Sequence, residues 1–176
     1  MANTVEELKE AADAVKDFLI REGEASLVVT AEDVWRKSVL IAAASHFEHE
    51  LGRAIERCAE VHGVSDTFRS LISAKAISRQ FYSYFDFESK NTNRLFNSFG
   101  AKCKERADRL LKESAELRDA QRAFLEVCAL RNKMVHTNYA SFVIEITTDE
   151  VFVMYQNGRR FITFFEEVVS GGEGRH

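Results

Sequence analysis

The sequence predicts an all-α fold, and three observations support this prediction. The 176 residues include no proline, the residue that most strongly disrupts helix interiors. Apolar residues recur at three- and four-residue spacing along most of the chain, as the buried face of a helix requires. Two segments begin with Thr followed three residues later by Glu, at Thr4–Glu7 and Thr147–Glu150, a pattern typical of helix N-termini. We therefore expect a helical bundle with short connections.

The first half of the chain is expected to contain three helices and one irregular insert. The first helix spans residues 4–22, within an N-terminal region of about 25 residues. The stretch "EGEASLVVT" is predicted to be a connection, with Thr30 and Asp33 as caps of a long second helix that ends near His62. A third helix should cover about residues 65–77. The aromatic-rich stretch "FYSYFDFESKNTN" that follows is weakly periodic, so we expect an ordered insert packed through its rings.

The second half of the chain is predicted to be helical, with one alternative left open. A short helical turn should end at Gly100, and helices should follow over residues 101–117 and 119–136. The C-terminal stretch "VFVMYQNGRRFITFF" contains Asn-Gly, a strong hairpin signal. The capping pattern before it and its apolar face favour a helix, with a hairpin around Gly158 as the alternative. The tail, residues 170–176, is predicted to be mobile.

Composition and charge narrow the class of protein. The chain is 45% hydrophobic and 30% charged, as in soluble globular proteins, and its length suits a single domain over residues 1–176. A formal net charge of −4 argues against a protein that coats DNA non-specifically. The sequence has no membrane-spanning apolar run and no signal-peptide pattern, so a cytoplasmic protein is expected. Cys58, Cys103 and Cys128 lack CxxC spacing and are expected to be buried free thiols.

The stretch "ALRNKMVHTNY", residues 129–139, ends an apolar helix with polar side chains. Two apolar rows of this helix lead to Arg131 and to Asn132 with His136, so the three groups can face one space. Arginine matches phosphate oxygens, histidine can transfer protons near neutral pH, and asparagine can orient either group. Such a set can cleave RNA without metal, with the 2′-hydroxyl as nucleophile. Without further context, a surface arginine and a helix-ending histidine are the simpler interpretation.

The surrounding sequence favours the catalytic interpretation over the simpler one. Residues 131–136, "RNKMVH", resemble the R-x4-6-H motif of the HEPN superfamily, in which a polar residue often follows the arginine. The segments "SHFEHELGRAI", "NTNRLFNSFGAKCKERADRLL" and "TTDEVFVMYQNGRRFITFFEEV" resemble the RiboL-PSP-type branch of that superfamily. The resemblance covers about residues 40–169. It implies an HEPN-like helical bundle, with the motif near the end of a late helix.

The resemblance also implies a function. HEPN ribonucleases are homodimers whose two motifs form one composite site, and they cleave RNA without metal to leave 2′,3′-cyclic phosphate and 5′-hydroxyl ends. Arg131 and His136 then take catalytic roles with Asn132 supporting them, and no cofactor is expected. Many such proteins are toxins or antiphage effectors, so an antitoxin, for example a nucleotidyltransferase-type protein, is a further expected partner. The alternative is a catalytically silent HEPN module that binds a protein or a nucleotide.

Several other residues are candidates for RNA contact. Lys102, Arg106 and Arg109 share one face of their helix and can guide an RNA backbone. Acidic residues are interspersed among them, so a solvated helix face is the simpler alternative. Lys133 lies inside the motif and Tyr139 follows it, so both are tentative RNA contacts.

Three remaining features have simpler structural explanations. Glu48 is a candidate to orient a motif residue, although a helix-surface salt bridge is the simpler role. His46, His49 and Glu50 have helical spacing that can hold a metal, but no further strong ligand is nearby in the sequence and no metal is expected. Four rings of the insert can stack bases, although core packing is favoured: Tyr82, Tyr84, Phe85 and Phe87.

Overall fold

The computed structural model describes residues 4–171, and this part of the chain is all-α, as predicted. It forms seven α-helices and no strand. A π-helical turn, Ser73–Ile77, and a 3-10 turn, Phe81–Tyr84, follow the third helix. The helices are α1 (Thr4–Arg21), α2 (Ala25–Val61), α3 (Asp66–Ile72), α4 (Asn93–Asn97), α5 (Ala101–Glu113), α6 (Ala115–His136) and α7 (Thr148–Val169).

The described residues group into two compact units. The first contains residues 4–46 and 126–156, and the second contains residues 47–125 and 157–171. Helices α2, α6 and α7 each contribute residues to both units. The prediction of a single domain stays a prediction.

The first unit combines an apolar core with a charged network. Its fully buried side chains include Leu40, Met134 and Tyr155. The Lys9 ammonium lies 2.5 Å from the Asp13 carboxylate and 2.6 Å from that of Asp149. Burial lowers the pKa of Lys9, but the hydrogen bonds to these two carboxylates outweigh it and leave that pKa raised. Helix α1 is therefore tied to the start of α7 as well as to the core.

The second unit is built around stacked aromatic rings. The ring centroids of Phe47 and Phe124 lie 4.9 Å apart, and those of Phe124 and Phe161 lie 4.7 Å apart. Gly158 is buried in α7 against these rings: a Cβ there would lie 2.6 Å from Phe47 Cζ and 3.0 Å from the Phe124 backbone. The helix runs through Asn157 and Gly158 without interruption. The helical prediction is confirmed here, and the hairpin alternative is wrong, because Gly158 permits close packing rather than a turn.

The capping patterns predict some helix starts well and others wrongly. The Thr147 hydroxyl accepts a hydrogen bond from the Glu150 amide at 3.1 Å, and the Glu150 carboxylate accepts one from the Thr147 amide at 2.7 Å. The pair is the reciprocal cap that the sequence predicts for α7. In contrast, α2 begins at Ala25, so the caps predicted at Thr30 and Asp33 are wrong. The Glu24 carbonyl already accepts the first helical hydrogen bonds.

Other predicted boundaries shift by four or five residues, slightly more than one turn. Helix α3 ends at Ile72 and continues only as the π-helical turn. Helix α5 ends at Glu113, and Ser114 caps the start of α6, because its hydroxyl accepts a hydrogen bond from the Leu117 amide at 3.2 Å. Of the tail predicted to be mobile, residues 172–176 lie outside the described part of the chain.

The aromatic insert is ordered and packs through its rings, as predicted. Phe81 and Phe85 are buried, and both contact the ring of Phe124. The Tyr84 hydroxyl donates a hydrogen bond to the Ala76 carbonyl, which ties the insert to the π-helical turn. Tyr82, Tyr84 and Phe87 are half-buried. Packing within the second unit therefore accounts for the concentration of aromatic residues in this insert.

The thiol prediction is confirmed for two of the three cysteines. Cys58 and Cys128 are buried and Cys103 is half-buried, and each of the three is a thiol rather than part of a disulfide. Burial raises the pKa of the Cys58 thiol and that of Cys103.

Candidate functional site

The three motif residues occupy the last turn and a half of α6. Arg131 and Asn132 are half-buried, and His136, the last residue of the helix, is exposed. Met134, between them, is completely buried and fixes the rotation of this turn against the core of the first unit. The exposed fraction thus rises along the row from Leu125 to Asn132 and His136, as the sequence predicts for a helix whose end opens to solvent.

The backbone of this turn favours positive charge. The last carbonyls of an α-helix lack intrahelical partners and carry partial negative charge. The Thr137 hydroxyl donates to the Lys133 carbonyl at 2.9 Å. The end of α6 therefore places a guanidinium, an amide and an imidazole close to these carbonyls.

The segment after the motif, residues 137–147, is irregular but anchored. The Asn138 carbonyl accepts hydrogen bonds from the amides of Ser141 and Phe142 at 3.1 and 2.9 Å, which closes a turn. Arg36 of α2 donates from Nη1 to the Ile144 carbonyl at 2.6 Å, and Ile144 is buried. The path of this segment is therefore set by its own turn and by α2.

Two lysines lie beside aromatic rings of this segment. The Lys37 ammonium is 5.3 Å from the centroid of the Tyr139 ring, and the Lys133 ammonium is 6.0 Å from that of Phe142. Lys133 and Tyr139, both predicted as RNA contacts, are exposed, and they share the first unit with the motif. Sequence reasoning missed Arg36 and Lys37, because nothing in the α2 sequence indicates which distant segment its cations contact.

The other predicted RNA contacts lie on α5 in the second unit. Lys102 and Arg109 are exposed and Arg106 is half-buried. On the same helix Lys104 forms an ion pair with Asp108, so charge is partly balanced along this surface. The role of the three residues in binding RNA stays a prediction.

Glu48 lines a cavity of about 320 Å³ in the second unit. The cavity lies between α2 and the segment from Ala76 to Tyr84, and its charged lining includes Arg53, Glu56 and Arg79. Arg79 has a φ of +60°, a backbone conformation that is unfavourable for residues other than glycine. The two arginines and two glutamates of the lining carry equal and opposite formal charge. The role of Glu48 as an orienter of the motif stays a prediction.

The histidine pair on α2 does not form a recognisable metal centre. The His46 ring packs against Tyr155 with 5.5 Å between centroids, and His49 lines the cavity that also includes Glu48. Across residues 4–171, no three His, Cys, Asp or Glu side chains are grouped as metal ligands would be. Nor does any helix in the described chain have the length and apolar character that crossing a bilayer needs.

Fold and motif together define the class of protein. The described region has seven helices and no strand, with an Arg-Asn pair and a His at the end of a late helix, which is consistent with an all-α HEPN fold. The family model described as RiboL-PSP-HEPN matches residues 6–171, and the chain therefore belongs to this family. The match includes α1, which the sequence resemblance over residues 40–169 left out. No curated protein and no solved structure matches the chain. Membership in this family suggests an RNA-related role.

Proposed function

We propose that this protein is a metal-independent endoribonuclease whose catalytic groups are Arg131, Asn132 and His136. The observation that carries the proposal is the position of these residues on the final turns of α6, where Met134 fixes the turn and His136 is exposed to solvent. A large substrate such as RNA requires a proton-transferring group at an open surface. Family membership supports the same assignment.

The proposed step is an internal transesterification. The 2′-hydroxyl loses its proton to a histidine, its oxygen attacks the adjacent phosphorus, and the bond from phosphorus to the 5′-oxygen breaks. The 5′-oxygen takes a proton from a second acid, which leaves a 2′,3′-cyclic phosphate and a 5′-hydroxyl. Arg131 stabilises the charge that develops on the phosphoryl oxygens, and Asn132 orients the imidazole or the attacking hydroxyl.

A second copy of the chain can supply the second acid. The reaction needs one group to accept a proton and another to donate one, and each chain carries a single motif. Around the motif, Val135 and Val143 are apolar and exposed, at 43% and 71%, which suits an interface between copies. We therefore propose a homodimer in which two motifs form one site.

The dimer proposal is tested by introducing a charged residue at this exposed apolar surface. Val135→Asp should shift the protein toward monomer in light scattering and abolish cleavage. Val61→Asp is the matched control, because Val61 is also exposed, at 71%, but lies at the end of α2. A wild-type protein that is monomeric at the concentration where it cleaves RNA would refute the composite site.

The catalytic assignment is tested by truncating each motif side chain. His136→Ala and Arg131→Ala should each lower the cleavage rate of total RNA by about 100-fold or more. The controls are His62→Ala, an exposed histidine after α2, and Arg122→Ala, an exposed arginine on α6 itself. Cleavage that survives both motif variants would refute the site. Purified wild-type protein that is inert toward RNA would favour a silent binding module instead.

The biological role that fits this chemistry is that of a toxin in a toxin–antitoxin pair or of an antiphage effector. An RNA-cleaving domain without a cofactor requirement is controlled most simply by a partner that blocks its site. Expression should arrest growth, and His136→Ala should relieve the arrest. Relief of arrest by a co-expressed antitoxin would identify the partner.

A further inference from the structure

The Lys37 side chain is held in one place although it carries a charge. The residue is 4% exposed, and its ammonium lies 2.8 Å from the Asp33 carboxylate one turn earlier on α2. Burial of a lysine is costly unless its charge has a partner. The pair with Asp33 meets that requirement and also fixes the direction in which the ammonium points.

That ammonium is directed at the Tyr139 ring. The distance to the ring centroid is 5.3 Å, within the range of a cation–π contact. Tyr139 itself remains 46% exposed, so the contact holds the ring without covering it. A large exposed ring on an irregular segment is expected to be mobile unless its neighbours restrain it. Here the restraint comes from α2.

Tyr139 is also close to the proposed catalytic His136 along the chain. It follows His136 by three residues, so the two Cα atoms are at most about 11 Å apart. The nearby hydrogen bond from Arg36 to the Ile144 carbonyl fixes the other end of the same segment. Exposed aromatic rings beside a phosphate-handling site are the usual surfaces on which unpaired bases stack.

We infer that Tyr139 stacks on a nucleobase next to the cleaved phosphate, and that Lys37 is the positioning residue that holds the Tyr139 ring for this contact. The inference rests on the proposed ribonuclease function and adds a substrate requirement to it. One base beside the cut must be unpaired and free to stack. The Lys37 ammonium acts through the ring and does not touch the RNA.

The test combines protein variants with abasic RNA. A short single-stranded RNA is made resistant to cleavage by 2′-O-methyl groups, and one base is removed at each position in turn. Binding is measured by fluorescence anisotropy for the wild type, Tyr139→Ala, Tyr139→Phe, Lys37→Met and Lys37→Arg. Circular dichroism and thermal unfolding check that each variant is folded.

Stacking predicts a position-specific pattern. With the wild type, removal of one particular base should weaken binding about tenfold, and with Tyr139→Ala that removal should no longer matter. Tyr139→Phe should behave as the wild type because it keeps the ring. Lys37→Met should lose most of the effect, and Lys37→Arg should restore it because the cation is retained.

The outcomes separate this inference from the proposed function. If base removal weakens binding equally in the wild type and in Tyr139→Ala at every position, the stacking role is refuted whether or not the protein cleaves RNA. If Lys37→Met keeps the position-specific effect, the positioning role is refuted. If the effect is present but unmodified RNA is not cleaved, the proposed ribonuclease function is refuted; the stacking contact remains, but its place next to a cleaved phosphate is refuted with that function.

Discussion

Replacing Gly158 with alanine tests the packing of the second unit. In an exposed helix this change stabilises the protein, because alanine favours the helix by about 1 kcal/mol relative to glycine. At Gly158 the added Cβ would lie 2.6 Å from Phe47 Cζ and 3.0 Å from both the backbone nitrogen and the Cα of Phe124. The Phe124 backbone is part of a helix and cannot move aside by rotating a side chain.

The expected loss follows from these opposing effects. Overpacking of a core costs about 1–3 kcal/mol, and contact with a helix backbone places Gly158→Ala near the upper end. After the gain in helix propensity, the free energy of unfolding should fall by about 2 kcal/mol. For a chain of this size, that corresponds to a Tm lower by roughly 4–8 °C.

Urea denaturation and thermal unfolding provide the measurement, and Gly52→Ala provides the control. Gly52 is also buried in a helix, but its added Cβ would meet only the Cγ2 atom of Ile77, at 3.0 Å. Ile77 is half-buried at the end of the π-helical turn and can shift by a few tenths of an ångström, so Gly52→Ala should change stability by about 1 kcal/mol or less. A Gly158→Ala protein as stable as the wild type would refute the packing argument. So would equal destabilisation by the two variants.

Three further predictions concern a cap, an ion pair and the chemistry. Thr147→Val removes the hydroxyl that accepts the Glu150 amide hydrogen bond, and urea denaturation should show a loss of about 1 kcal/mol; unchanged stability would contradict the capping role. The hydrogen bond from Lys16 lowers the pKa of Glu32, so this pair stabilises the fold above the unfolded-state pKa of the carboxyl and is lost as pH falls through the folded-state pKa. Glu32→Gln should therefore reduce the fall in Tm on acidification, which Glu22→Gln, at an exposed position, should leave unchanged; identical curves for the two variants would count against the pair. RNA cleavage should persist in EDTA and stop when the 2′-hydroxyl before the cut is replaced by hydrogen; loss of activity in EDTA would refute the metal-independent mechanism.

Much of the fold is predictable because helical signals are local. Apolar spacing places α6 and α7, and the Thr147–Glu150 pattern predicts the start of α7 because a cap depends only on residues three positions apart. The start of α2 is less predictable, because Thr30 and Asp33 fit the sequence pattern of a cap while the helix already begins at Ala25. A residue type that suits a helix start is also tolerated inside a helix.

The candidate site likewise contains residues that the local sequence predicts and residues that it does not. Arg131, Asn132 and His136 follow from a short motif, since helical periodicity alone places them on neighbouring rows at the end of α6. Lys37 does not, because its contact with Tyr139 joins residues about 100 positions apart in the chain. Gly158 shows the same limit: Asn-Gly predicts a turn locally, whereas the aromatic packing that demands a glycine there involves residues from distant segments.

The position of Lys9 has a consequence for how the protein can be shortened. Its ammonium forms ion pairs with Asp13 and Asp149 and lies 5.9 Å from the Phe152 ring centroid. Val5 and Ala12 of the same helix are buried. A fragment that starts at α2 would keep the whole motif and nevertheless lose the cation opposite Asp149 and the apolar cover over the first unit. Helix α1 is thus a structural requirement of the unit that carries the motif, and a minimal fragment with the same chemistry must retain it.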